Sequence, residues 1–255
     1  MKINATICLF ILSLSAIAQQ DLDAEVFHSD FEQQAFSNAD PLQIMLAADP
    51  LVDSNKYNQY LTDFRTHLDK LGRKVDNIHP RMVLERVFYY SHRKKLSWYH
   101  NDVLFSDLFE SGKYDCLTGT AFYAAILDQL SIPYNIYEFN YHVFLMAYLD
   151  GEKVLIEPTD AINGFITDEK EIARQIEKFK AEDGMTLNID AVNNIISLED
   201  LAGLQYYNMG IDLYNQGKFD KAFTNIQKAN FLYPSKRIKE MHRIFRSQAV
   251  LVTSN

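Results

Sequence analysis

The stretch from residue 116 to residue 157 limits most tightly what this chain can fold into. Cys116 to Leu130 is an apolar run of helical length, and Ser131-Ile132-Pro133 ends it. Tyr134 to Phe139 then reads as a strand. A second strand runs from His142 to Leu149, turns at Asp150-Gly151 and returns through Lys153 to Glu157. Asp-Gly between two such runs is a strong hairpin signal, because the tightest hairpin turn needs positive φ at both central residues. A hairpin turning symmetrically about Asp150-Gly151 sets Leu149 opposite Glu152, Phe144 opposite Glu157 and His142 opposite Thr159. Partners across a hairpin share a face, and so do positions two apart. Glu157 is therefore a diagonal, same-face neighbour of His142. Asp160 would face the other way if the strand continued that far, though Pro158 is placed to stop it first.

On either side of this stretch the helical period dominates. Residues 19–40 are polar and acidic without a clear period, and read as a loose lead-in. Asp40-Pro41 marks a helix start, with Asp as cap and Pro at the first helical position. Over 57–74, Tyr57, Tyr60, Leu61, Phe64, Leu68 and Leu71 fall on one face, with Gly72 near the end. Pro80 opens another helix with Val83, Leu84, Val87 and Phe88 as its apolar stripe. That helix ends in His92, Arg93, Lys94 and Lys95, which suit the negative end of the helix dipole and read as a solvated last turn. Leu104 to Phe109 is an apolar run ended by Glu110-Ser111-Gly112, and the last fifty or so residues are helical again.

The amino terminus reads as a signal peptide. Lys2 is followed by an apolar run to Leu14, and Ala16-Ile17-Ala18 is a small-x-small cleavage site. Export to a periplasm or the outside medium is expected, and no later stretch is long and apolar enough to span a bilayer. Some 237 residues remain after cleavage at residue 18, enough for one large domain or two small ones. The chain carries 34 acidic and 25 basic side chains, a formal net charge of −9. This balance disfavours nucleic acid and anionic membrane surfaces as partners. Of the two cysteines, Cys8 leaves with the signal peptide, so Cys116 is solitary. It is either an inert buried thiol, an intermolecular link or a reactive group.

Its position bears on the choice. Cys116 stands at the first turn of the 116–130 helix, where unpaired N–H groups and a positive field stabilise a thiolate or a developing oxyanion. His142, one helix and one strand later, is placed to face that helix end. A thiol–imidazole pair needs a third group to orient the ring, and Glu157 and Asp160 compete for that role, with Glu157 preferred on strand parity and Asp160 in reserve. Tyr114 and Tyr141 flank the site and read as core or rim packing. The other histidines (His28, His67, His79, His92, His100, His242) show no metal-ligand spacing, and no phosphate loop or dinucleotide fingerprint occurs, so no cofactor or metal is expected.

The order Gly112-Lys113-Tyr114-Asp115-Cys116-Leu117-Thr118-Gly119-Thr120-Ala121, then Ile132-Pro133, His142-Val143-Phe144, Gly151 to Val154 and Ile156-Glu157-Pro158-Thr159 resembles the transglutaminase-like superfamily over residues 80–165. The resemblance implies an α+β fold: a papain-like core with a nucleophile helix packed on an antiparallel sheet, carrying a Cys-His-acid triad. By position it makes Cys116 the nucleophile, His142 the base and Glu157 the acid. The family more often places Asp before Pro-Thr, so Glu157 is a departure. Members include cross-linking enzymes, peptidases, amidases and inactive scaffolds.

Residues 203–236 resemble a single tetratricopeptide repeat, a helical hairpin. Tyr206, Met209, Gly210, Leu213, Gly217, Phe219, Ala222, Ile226, Ala229 and Pro234 stand where that repeat wants large and small packing residues. One repeat cannot bury its own face and must lean on a neighbour. The expected organisation is a signal peptide at 1–18, lead-in and helices at 19–79, a transglutaminase-like domain at 80–200 and a repeat-like helical region at 201–255. Two functions follow. One is a cysteine hydrolase acting on a peptide or protein substrate through a Cys116 thioester. The other is an inactive scaffold whose repeat-like segment holds a protein partner.

Overall fold

The computed structural model describes residues 22–72, 79–139, 142–182 and 194–252. The segment expected to be a signal peptide (residues 1–18), Cys8 within it and Tyr141 lie outside the described residues. The architecture is α+β. Among the described residues no helix is long and apolar enough to cross a membrane.

The sheet has five antiparallel strands. In chain order they are β3 (Tyr134–Phe139), β4 (His142–Leu149), β5 (Glu152–Ile156), β6 (Phe165–Ile166) and β7 (Asn194–Ile196), and in space they run β6-β5-β4-β3-β7. The β4–β5 hairpin has the symmetric register expected from its turn, with Leu149 opposite Glu152 and Leu145 opposite Ile156. Asp150 and Gly151 have φ of 48° and 87°, the left-handed pair that a two-residue turn of this hand requires. The helix α6 (Cys116–Gln129) covers one face of the sheet, against Val143, Leu145, Ala147 and Val154. It is apolar all round because it is enclosed all round: from Leu117 to Leu127 every residue is buried. On the other face α7 (Glu169–Glu182) sets Ile172 and Phe179 against Phe139, Phe144, Met146 and Leu155.

Helices precede and follow this layer. The first is α1 (Asp30–Asn38), capped by Ser29 Oγ, which accepts from the Glu32 N–H at 3.1 Å. A loose lead-in was expected there, and the structure corrects this. The buried face of α1 is Phe31, Glu32 and Ala35, and a carboxylate in that face hides its apolar period. Next come α2 (Pro41–Ala47), whose Asp40 cap accepts from the Leu42 and Gln43 N–H groups, and α3 (Ser54–Gly72), on the face expected for the 57–74 stripe. Then α4 (Pro80–Lys94) begins at the expected proline. Its basic end is not wholly solvated. His92 is buried against Phe88, Tyr114 and Tyr123, and burial drives its pKa down to about 4, so it is a neutral core ring.

A short parallel pair, β1 (Trp98–Tyr99) with β2 (Lys113–Tyr114), flanks α5 (Phe105–Glu110). The carboxyl-terminal third is α8 (Leu198–Asn215), α9 (Phe219–Leu232) and α10 (Lys236–Val252). Gly210, expected to let α8 and α9 approach, does so: a Cβ added there would meet the Ile226 side chain at 2.8 Å. Gly203, which carried no such expectation, acts likewise, with an added Cβ 2.6 Å from Tyr233 Cβ. One buried cluster runs from Phe31 and Ala35 through α6 to Tyr206, Ala229, Leu232 and Ile238, so the first and last helices share the core of the sheet layer.

Candidate active site

Cys116 is the first residue of α6, His142 is the first of β4, and Glu157 follows directly on β5. Strand parity turns His142 and Glu157 towards the α7 face, whereas α6 lies on the other. The three can meet only where both layers end, which is where the sequence puts them. Asp115 sets the start of α6. Its Oδ1 accepts from the Thr118 N–H and hydroxyl, each at 2.8 Å, and Thr118 Oγ1 accepts from the Asp115 N–H at 2.9 Å. The reciprocal cap fixes the helix end and leaves Cys116 half-buried at its first turn.

His142 Nε2–H donates to Glu157 Oε2 at 2.5 Å. The other carboxylate oxygen, Oε1, accepts from the Thr159 N–H at 2.9 Å and from its hydroxyl at 2.5 Å. Glu157 is thus clamped at both oxygens, and its side chain is only 4% exposed. Asp160 does a different job. It accepts from the N–H groups of Ile162 and Asn163 and from the Asn163 amide, building the 160–164 turn. Gly164 closes that turn against the Glu157 carbonyl, where an added Cβ would lie 2.2 Å from the oxygen. The structure therefore pairs His142 with Glu157, and Asp160 shapes the loop beside them.

The charge state of His142 follows. Burial works against a charged ring, but hydrogen bonding to the Cys116 side chain and to Glu157, with the negative charge of both, outweighs it and raises the pKa to about 10. The ring is an imidazolium throughout the neutral range. With Nε2 committed to the carboxylate, Nδ1 is the nitrogen left for the sulfur. Phe179 packs against the imidazole with ring centres 4.6 Å apart, shielding the pair from water on the α7 side.

Two aromatic residues went unremarked in the sequence. Trp98 and Tyr99 are 69% and 52% exposed. The β1–β2 pairing brings Tyr99 to the site. Its pKa is raised by burial and by the negative charges of Cys116, Asp115 and Glu157, and its ring packs edge-on to Tyr114. The signal available was two adjacent aromatics before a polar turn, and a two-residue strand is too short to show a period. Tyr114 is buried, as expected for a packing residue. Among the described residues no cluster of metal-ligating side chains occurs.

Gly119 makes the site sensitive to a single methyl group. Its Cα faces Pro158, and an added Cβ would come within 2.8 Å of Pro158 Cβ and 3.2 Å of the Tyr114 ring. Alanine improves helix propensity by about 1 kcal/mol, whereas overpacking against a rigid proline costs about 1–3 kcal/mol. Gly119→Ala is expected to lower the melting temperature and, by displacing the 157–158 backbone, to loosen the Glu157–His142 contact. A melt alongside the Cys116 alkylation rate checks both.

Comparison with known proteins found no match: no family model, curated protein or solved structure is similar to this chain.

Proposed function

We propose that this chain is a transglutaminase-like cysteine hydrolase acting on a peptide or protein amide. The observation that carries the reading is the imidazole held at Nε2 by a clamped carboxylate, with the helix-terminal thiol of Cys116 near enough to help raise the pKa of the ring. In the proposed cycle the Cys116 sulfur attacks the acyl carbon, and the helix N–H groups stabilise the oxyanion. His142 gives its proton to the leaving nitrogen as the C–N bond breaks, leaving a thioester on Cys116 and a neutral ring. Water then adds to the thioester, and His142 takes its proton. Collapse releases a carboxylic acid and restores the pair. Glu157 holds the ring's orientation and stabilises its charge throughout. The cleavage-site pattern at residues 16–18 supports export, and the spacing of small residues over 203–236 supports a repeat-like hairpin.

The test is the pH dependence of Cys116 alkylation by iodoacetamide, with and without His142. The wild-type rate is expected to remain high at about pH 6, because a charged His142 beside the sulfur favours the thiolate. In His142→Ala the rate should climb through the ordinary thiol range, about pH 8–9, and lie roughly ten- to a hundredfold below wild type at pH 6. Superimposable profiles would sink the coupled pair.

A further inference from the structure

A second site abuts the start of α6, where Asp115 and Leu117 line it, while Cys116, His142 and Glu157 do not. A cavity of about 730 Å³ is enclosed by the turn at 24–28, the loop before α5, the start of α6 and the facing sides of α8 and α9. That volume is within the range of pockets that hold ligands, about 300–1,000 Å³. Phe27, Val103, Leu117, Met209 and Leu213 supply apolar wall.

Acidic side chains outnumber basic ones on its wall. Glu25, Asp102, Asp107, Asp115, Asp212 and Asp220 bring six carboxylates to it, of which Asp115 is taken up by Thr118. Asp107 is engaged by the Leu104 N–H and Asp212 by the Gln216 amide, whereas Glu25, Asp102 and Asp220 have no hydrogen-bond partner among the described residues. Asn225 adds an independent acceptor. It is only 8% exposed and lines the cavity. Its Nδ2 donates to the Lys221 carbonyl at 2.8 Å, and its Oδ1 takes no donor from the described protein. Against these stand two lysines. Lys228 is bound to Glu32 at 2.7 Å, which leaves Lys221 as the wall's uncommitted lysine among the described residues. Lys221 apart, the open charged groups are therefore anionic, and the occupant that suits them brings donors and positive charge.

We propose that this cavity binds a peptide segment carrying arginine or lysine. The aliphatic stem lies along the apolar wall, and the cation meets Asn225 Oδ1 and the free carboxylates. A peptide suits the site better than a small polyamine, because its neighbouring apolar side chains cover the wall that a bare amine would leave wet. The site does not depend on turnover at Cys116, so it stands or falls separately from the hydrolase reading.

Fluorescence anisotropy on the full-length chain tests it, with a labelled Leu-Arg-Leu-Arg-Leu peptide, its citrulline counterpart and spermidine as competitor. Citrulline keeps the shape of arginine and removes the charge. The arginine peptide is expected to bind at least tenfold more tightly than the citrulline peptide. Asp102→Asn/Asp220→Asn should weaken it about tenfold, and Asn208→Trp, an exposed position on the wall, should block it. Equal binding of the two peptides, or binding unchanged in both variants at matched melting temperatures, would overturn the proposal. Displacement by spermidine at concentrations equal to the peptide's own Kd would overturn the peptide assignment. If Asn208→Trp fails to fold, the double asparagine variant decides alone.

Discussion

Glu32→Ala is expected to destabilise the fold by about 3–5 kcal/mol, the range for stranding one partner of a buried ion pair. Glu32 is fully buried on α1, and its Oε1 accepts from Lys228 Nζ and from the Tyr206 hydroxyl, each at 2.7 Å. Its Oε2 accepts from the His28 N–H at 2.8 Å. Lys228 is 2% exposed, and burial lowers its pKa while Glu32 resists the fall. Without Glu32 the ammonium, 2% exposed, loses its hydrogen-bonded counter-charge and is left with only the adjoining cavity to solvate it. Its protonated form is then disfavoured in the folded chain relative to the unfolded one. The penalty is therefore largest near neutral pH and eases as pH rises toward the ordinary lysine range.

The partner variant separates charge from packing. Lys228→Met leaves Glu32 two donors, the Tyr206 hydroxyl and the His28 N–H, so its loss should be smaller than that of Glu32→Ala. The double variant Glu32→Ala/Lys228→Met carries neither charge and should lose less than the sum of the two single variants, giving a clear non-additive cycle. Urea denaturation of the set checks the order. A loss below about 1 kcal/mol for Glu32→Ala would mean that water reaches Lys228 in the folded protein.

What the sequence disclosed depended on whether a signal was local. The hairpin register was legible because Asp150-Gly151 fixes both the turn and the pairing, and parity then put Glu157 rather than Asp160 on the face of His142. The caps at Asp40-Pro41 and Pro80 were legible for the same reason. Glu32 and His92 were not. Each is a polar residue whose burial is settled by a partner or a packing shell brought from far along the chain, so each looked like solvent-facing character. Tyr99 was hidden differently, because its nearness to Cys116 comes from a two-residue parallel pairing that leaves no periodic trace. The cavity walled by the 24–28 turn, the loop before α5 and the α8–α9 pair is also a product of long-range packing. No window of sequence contains it.

Removing residues 203–255 is expected to abolish cooperative folding and leave a chain without a sharp thermal transition. Leu204, Tyr206, Leu232 and Ile238 are buried in the same cluster as α2 and α6. Each such side chain contributes about 1.5–3 kcal/mol on burial. Those four together match a domain's whole stability of about 5–15 kcal/mol. The polar losses add to this. Gln205 accepts from the Phe105 N–H at 3.1 Å and donates to the Met45 carbonyl at 2.8 Å, so its removal leaves two buried backbone groups unpaired. Glu32 loses Lys228 and Tyr206, and Glu138, buried on β3, loses the Arg237 guanidinium at 2.7 Å together with the Tyr233 hydroxyl. A detachable binding module would cut away cleanly, and the remainder would melt as before. Here the cut passes through the core that supports α6, so the helix presenting Cys116 should lose its fixed end and Cys116 should alkylate like a free thiol. A truncated chain that kept both a cooperative melt and the wild-type alkylation profile would instead assign 203–255 to partner binding alone.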